Sequence, residues 1–299
     1  MEPNPSVEAV PTVMVVPSIR PRPGLAVRFL RRYPVGAAAA AFIAAMVLAA
    51  TFAPAVAPYD PLTTDYGGMF RPPGRDHWFG SDAFGRDVFS RILFGARTAL
   101  LVGFGASVVG ATAGAVIGVA SAHFGGIVDL VTQRFVDVLL SFPLIIVAMA
   151  IVAIIGVGTD KLVLAIALSF LPRAARVVRS SALAVRETVY VEAARAMGCS
   201  HARIIFRHMA PNVMAPYLVM LTSFLGQAIL LEASLSFLGL GVSEPTPAWG
   251  LMLRGAAVDF LQRAPWMAVF PGLAISAAVL AFNVFGDALR DALDPKLRI

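Results

Sequence analysis

The chain has 299 residues, 58% hydrophobic and only 14% charged, with a formal net charge of +6 and a mean hydropathy of +0.79. A water-soluble domain carries roughly 25% charged residues, so this one lacks the polar surface to cover itself, and a soluble enzyme is excluded. The excess charge is arginine spread between long apolar runs, which fits the loops of a membrane protein and not a nucleic-acid-binding patch.

Residues 1–24 hold many prolines and no hydrophobic periodicity, as a disordered tail does. The basic cluster Arg28, Arg31 and Arg32 precedes a first uncharged span, Val35 to about Ala57, too long for a signal-peptide core and long enough to cross the ~30 Å hydrocarbon layer. Five prolines between Ala53 and Pro73 break it. A second span is expected from about Thr98 to Ala122, a third from Ile127 to Ile155, and a fourth from Lys161 past Pro172. The fourth continues out of the bilayer, because Arg173, Arg176 and Arg179 follow its apolar part at helical spacing and their side chains leave toward water. The fifth is expected from about Val213 to Gly239 and the sixth from Trp266 to Phe285. The segment between them, Gly239 to Ala264, reads as a re-entrant or surface-lying hairpin.

Six spans put both termini on one side. That side carries fifteen Lys and Arg against eight on the other, so the positive-inside rule places the termini in the cytoplasm. Trp78, Trp249 and Trp266 fall at expected outer boundaries, where indole rings favour the headgroup zone. The loops contain no phosphate-binding, zinc-protease or serine-hydrolase signature. No residue is a candidate catalytic group or metal ligand, and the lone Cys199 allows no intrachain disulfide.

The loop between spans four and five, residues 187–212, carries the most information. Tyr190 to Met197 are good helix formers, and Gly198 ends the run as C-terminal glycines do. Ser200 caps a second short helix expected to stop before Pro211 and Asn212. Ala193 and Ala194 keep one face of the first helix low, so that another protein can approach its backbone. Taken alone this pattern also fits an amphipathic helix lying on the membrane. Glu192-Ala193-Ala194, then Gly198, then His208-Met209-Ala210-Pro211 resembles the EAA loop of ABC importer permeases, with His208 and Ala210 departing from its usual Ile-x-Leu-Pro ending. The resemblance implies that Glu192, Ala193, Ala194, Gly198, His208 and Pro211 belong to a coupling helix that docks on an ATPase subunit.

Three further segments are similar to the C-subunit permeases of dipeptide and oligopeptide importers. They are His77 to Arg97, containing His-Trp-Phe-Gly-Ser-Asp-Ala-Phe-Gly-Arg-Asp; Leu231 to Gly241 with Pro245 to Gly250; and Asn283 to Lys296. The likeness runs in order from about residue 77 to the C-terminus.

Within the spans, Gly110, Gly114 and Gly118 stand four apart and let another helix pack closely. Asp129, Arg134 and Asp137 open span three. Arg134 and Asp137 stand three apart and are expected to pair. Ser223, Gln227 and Ser234 share a face of span five that is a candidate lining of the translocation path, with helix–helix hydrogen bonding as the alternative. Glu232 sits elsewhere on that helix as a candidate gate, or as an anchor for the glycine-rich outer turn or for the partner permease.

The expected architecture is an all-α integral membrane protein with six transmembrane helices and the type I ABC importer permease fold. It divides into a cytoplasmic tail (1–33), a first helix and outer loop (34–96), a five-helix core with the coupling loop (97–290) and a C-terminal tail (291–299). The resemblance implies a permease subunit moving di- or oligopeptides into the cytoplasm across a bacterial inner membrane. It implies a homologous second permease, two cytoplasmic ATPases and an extracytoplasmic binding protein, with ATP and Mg held by the ATPases and no cofactor in this chain. A nickel chelate, haem or a glycan fragment is an alternative cargo. An ion-coupled secondary transporter is the alternative of another class, but no internal repeat supports it.

Overall fold

The structure, a computed structural model, describes residues 32–293. The Pro-rich tail with Arg28 and Arg31, and the C-terminal residues from Asp294 on, lie outside the described residues. Every regular element among the described residues is helical.

Helix α1, Pro34–Thr51, opens with proline at its first turn, where a missing N–H costs nothing, and is built almost wholly of alanine and larger apolar residues. Helix α2, Val88–Phe124, begins ten residues before the expected Thr98. Asp87 explains the early start: its carboxylate caps the helix by accepting from the Ser90 N–H at 2.8 Å. At 37 residues α2 is roughly 55 Å long, so it extends well beyond the apolar layer.

The expected third span is not one helix. It is α3, Gly126–Leu140, and α4, Leu144–Ile155, bent by 94° at a short break. Pro143 causes the break: it has no N–H to continue the ladder and disfavours helical geometry at Phe142. Helix α5, Thr159–Arg186, is continuous through Pro172. Four described helical runs are long and apolar enough to cross a membrane, or five if the bent pair forms one span. Helix α5, taken as the fourth span, is not among them, because its arginines dilute its apolar character. The all-helical membrane architecture stands, and the number six is not established by these helices.

After α5 come the short helix α6, Val189–Ala196, and a helical turn at His201–Arg203. The chain then continues without a stop at Pro211. A wide π turn over Ile204–Met209 and a tight 3₁₀ turn over Ala210–Val213 lead straight into α7, Met214–Phe237. The change of pitch absorbs the donor that Pro211 lacks. Helix α8, Trp249–Asp259, occupies the expected hairpin, and α9, Trp266–Leu293, runs eight residues beyond the expected end.

Packing centres on α2 and α5, with α7 against both and α9 against α7 and α1. The glycine stripe of α2 faces α5. A Cβ at Gly110 would lie 2.6 Å from the Ala167 carbonyl oxygen, one at Gly114 2.4 Å from the Ala174 Cβ, and one at Gly118 2.5 Å from the Ala175 oxygen. The stripe is therefore an internal seam that lets two backbones touch. Phe170 of α5 and Phe224 of α7 stack at 4.3 Å beside it.

The tryptophans divide. Trp78 is exposed, as a headgroup anchor would be. Trp249 is buried and donates to the Ile92 carbonyl at 3.0 Å, while Trp266 donates to the Ser81 carbonyl at 3.1 Å. Both indoles clamp the outer segment onto the bundle, because a buried Nε1–H must find an acceptor.

Candidate functional site

The 187–212 loop has two distinct sides. Val191, Ala194, Ile204 and Met209 are all buried, turned into the core beneath α2 and α5. Val189, Met197 and Phe206 are 81%, 77% and 76% exposed. An apolar side chain held out to that extent gains little from this chain's own fold, and exposed apolar side chains on a loop are candidates for contact with a partner. The helix termination follows the sequence reading. Met197 closes α6, and Gly198 takes φ +77, the left-handed geometry that suits glycine. A Cβ there would meet nothing within 4 Å. Ser200 caps the next turn by accepting from the Arg203 N–H at 3.4 Å.

The individual loop residues fall on different sides. Glu192, Ala193, Gly198 and Pro211 are exposed, and His208 is half-buried with its ring 6.1 Å from that of Tyr190. Ala194 is the correction: it is buried in the chain's own core, so of the two alanines only Ala193 offers a low outer surface. The helical period explains this, since Ala194 stands three residues from the buried Val191.

The expected Arg134–Asp137 pair does not form. Asp137 pairs with Arg176 of α5, and Arg134 is exposed with no ion pair among the described residues. Asp129 is held more fully: Arg179 of α5 donates to both its oxygens at 2.5 Å, and Ser121 of α2 donates to Oδ1 at 2.5 Å. The arginines of α5 approach α3 across the helix seam and present a two-pronged donor set that a neighbour in the same helix cannot match. Sequence spacing alone does not reveal this, because the bend at Pro143 sets where α3 lies. The arginines read as leaving the bilayer are thus partly spent on carboxylates.

The candidate path face is also divided. Ser223 and Gln227 border a cavity of about 430 Å³ together with Arg173, Phe224 and Arg290. Gln227 accepts from Arg173 at 3.1 Å. Ser234, two turns on, borders a separate cavity with Phe237, Leu253 and Ser276. Both serines donate back into their own helix, Ser223 to Val219 at 3.1 Å and Ser234 to Leu230 at 2.7 Å. They leave only acceptor capacity for a neighbour. Arg173 is the residue of this cavity that sequence reasoning missed.

Glu232 is fully buried on α7. Its Oε1 accepts from Ser236 at 2.8 Å, and Ser236 in turn accepts from the Val242 N–H at 3.4 Å. The carboxyl therefore ties α7 to the turn at residues 239–242. That turn approaches so closely that a Cβ at Gly241 would lie 2.0 Å from the Ser236 hydroxyl.

The 77–97 segment at the far end is organised by its acids. Asp82 accepts from the Phe84 and Arg86 N–H groups at 2.8 and 2.9 Å and from Arg86 Nε at 2.6 Å. Arg86 also reaches Glu244 at 3.1 Å, and Asp87 meets His77 Nδ1 at 2.9 Å. Arg91, almost wholly buried, donates to the Pro61 carbonyl at 3.0 Å. The paired Asp and Arg residues of this segment serve first to hold the outer loop against the turn before α8.

The sequence has counterparts among known proteins. Residues 110–299 match the family described as "binding-protein-dependent transport system inner membrane component", and residues 24–73 match the "N-terminal TM domain of oligopeptide transport permease C". A dipeptide transport system permease protein of Alkalihalophilus pseudofirmus is 43% identical over 86% of this chain and 84% of its own length. A putative peptide transport system permease protein of Brucella abortus is 42% identical over 97% and 98%. A glutathione transport system permease protein of Escherichia coli is 42% identical over 91% and 89%.

Proposed function

The chain belongs to the family of binding-protein-dependent transport system inner membrane components, and on that premise we propose that it is the permease subunit of an ATP-driven importer of di- and oligopeptides. Relatives whose names specify dipeptide, peptide or glutathione transport support a peptide cargo. In this reading both termini face the cytoplasm of a bacterial inner membrane. A homologous second permease completes the pathway, an extracytoplasmic binding protein delivers the peptide, and two ATPase subunits hold ATP and Mg.

The observation that carries the coupling role is the two-sided loop, apolar residues buried on one side and Val189, Met197 and Phe206 bare on the other. A groove on an ATPase would cover the bare side. Closure of the ATPases on ATP would push α6 and Gly198, and the buried side would pass the displacement to α2 and α5. ATP and the loaded binding protein then favour the same arrangement of the bundle, which is a coupling of two sites through one conformational equilibrium. Arg173, Gln227 and Ser223 line the part of the path this chain contributes, with Arg173 and the Gln227 amide offering donors to peptide carbonyls and carboxylates and Ser223 only an acceptor.

Co-purification tests the coupling role. The ATPase should accompany the wild-type chain and be lost when Glu192 and Gly198 are both disrupted; an intact complex in that variant would count against it. Uptake of labelled dipeptides that requires ATP and survives collapse of the proton gradient tests the energy source. Uptake that vanishes with the gradient would overturn it.

A further inference from the structure

We infer that His123 and His201 form a polar strut that fixes the register between the 187–212 loop and the end of α2, which makes them positioning residues for transport. The inference rests on the reading of that loop as the coupling element.

His123 lies in the last turn of α2, 6% exposed. His201 follows the capping Ser200 on the loop. Their rings meet edge to face at 5.1 Å, with His123 Nε2 2.9 Å from His201 Nδ1. Among the described residues, this is the one side-chain hydrogen bond that runs from residues 187–212 to a helix not adjacent in the chain. The His123 Nδ1 has no partner among them, so this is the one hydrogen bond of a ring otherwise held by packing.

Thr188 and Glu187 reach only the adjoining end of α5, and the side chains that bury the loop against the bundle are apolar: Val191, Ala194, Ile204 and Met209. Apolar burial is non-directional, so those contacts carry a push toward the core but fix the register along α2 less narrowly than a hydrogen bond does. A hydrogen bond between two planar rings has a narrow range of distance and angle, so it converts sliding of the loop into displacement of α2. Arg186 braces the same corner by donating to the Ala122 carbonyl at 2.9 Å, one residue before His123. Whichever ring donates, one nitrogen must carry the proton and the other must be bare.

Amide side chains provide the test, because the Oδ1 of asparagine stands where histidine Nδ1 stands and the Nε2 of glutamine stands where histidine Nε2 stands. His201→Asn and His123→Gln therefore keep the bond, while His201→Ala and His123→Leu remove it. Each variant is reconstituted in liposomes with the second permease and the ATPases. ATP hydrolysis is then measured with and without binding protein loaded with a dipeptide mixture. His201→Ala and His123→Leu should lower the stimulation by loaded binding protein roughly three- to tenfold, the range set by one lost hydrogen bond. His201→Asn and His123→Gln should stay within about twofold of wild type. The double variant His123→Leu with His201→Ala should be no worse than either single one, since both remove the same bond. Unchanged stimulation in the bond-deleting variants would overturn the strut. So would amide variants as defective as those, or additive losses in the double variant. Should His201→Ala fail to assemble, the His123→Leu and His123→Gln pair makes the same comparison from the α2 side. A wild-type chain that never binds the ATPases would overturn the coupling reading itself, and the strut with it.

Discussion

Replacing Met197 with alanine separates a surface residue of this chain from a residue awaiting a partner. Met197 is 77% exposed, and its backbone N–H closes α6 on the Ala193 carbonyl at 3.0 Å, a bond that the substitution leaves in place. The chain's own stability should therefore change by less than about 0.5 kcal/mol. Fully burying a methionine side chain is worth about 1.5–3 kcal/mol. With about three-quarters of that surface still open, an ATPase groove that covers it would gain about 1–2 kcal/mol. Met197→Ala should then weaken ATPase binding about 5- to 30-fold. The assay titrates purified ATPase onto the chain paired with its second permease in nanodiscs, with thermal unfolding of the same sample alongside. Equal affinity for wild type, Met197→Ala and Met197→Asp would refute the reasoning, since a charge cannot enter an apolar groove without cost.

Other substitutions test the bundle. Gly114→Ala should destabilise by about 1 kcal/mol net: overpacking against Ala174 and Leu171 costs about 1–3 kcal/mol, offset by about 1 kcal/mol of helix propensity. Gly272→Ala in α9 meets nothing within 4 Å and should instead stabilise by up to about 1 kcal/mol. Thermal unfolding in detergent reads both signs. Asp129→Ala removes the acceptor of Arg179 and Ser121 and should cost about 2 kcal/mol in the same assay, whereas Arg134→Ala should change it by less than about 0.5 kcal/mol. Glu232→Ala should reduce expression of folded protein, because it leaves Ser236 and the 239–242 turn without their anchor. Glu232→Gln keeps the acceptor and should transport within about twofold of wild type; loss of transport in a folded Glu232→Gln protein would instead assign the carboxyl a gating role.

The sequence is informative where local chemistry decides the structure and silent where the bundle does. Gly198 and Ser200 are local, so α6 and its termination are legible to within a residue, whereas the burial of Ala194 depends on which face the bundle covers. The glycine stripe is legible as a close approach, and only its partner, α5, comes from the structure. The Arg134–Asp137 pair fails because spacing within one helix says nothing of the arginines that a neighbouring helix brings. Pro143 announces a break, but the angle between α3 and α4 is a tertiary outcome. Ser223, Gln227 and Ser234 share a helical face, yet the cavities along α7 are bounded by α5 and α9, and these separate Ser234 from the other two. The His123–His201 contact joins residues 78 apart, beyond any periodicity.

These placements bear on how a push on the loop would travel. Helices α2 and α5 touch backbone to backbone along Gly110, Gly114 and Gly118, so they cannot slide past one another without the steric cost that fixes the seam. Asp129 and Asp137 then tie α3 to α5 through Arg179 and Arg176. The loop continues directly from α5 at one end and into α7 through the π turn at the other. A displacement of α6 therefore acts on a rigid α2–α5 pair on one side and on a helix of altered pitch on the other. Single π turns within helices are frequent at functional sites, and this one stands between the loop and α7, which carries Gln227 and Ser223. Arg173 is carried by α5 and Gln227 by α7. The hydrogen bond between them joins the two helices at the cavity that both line.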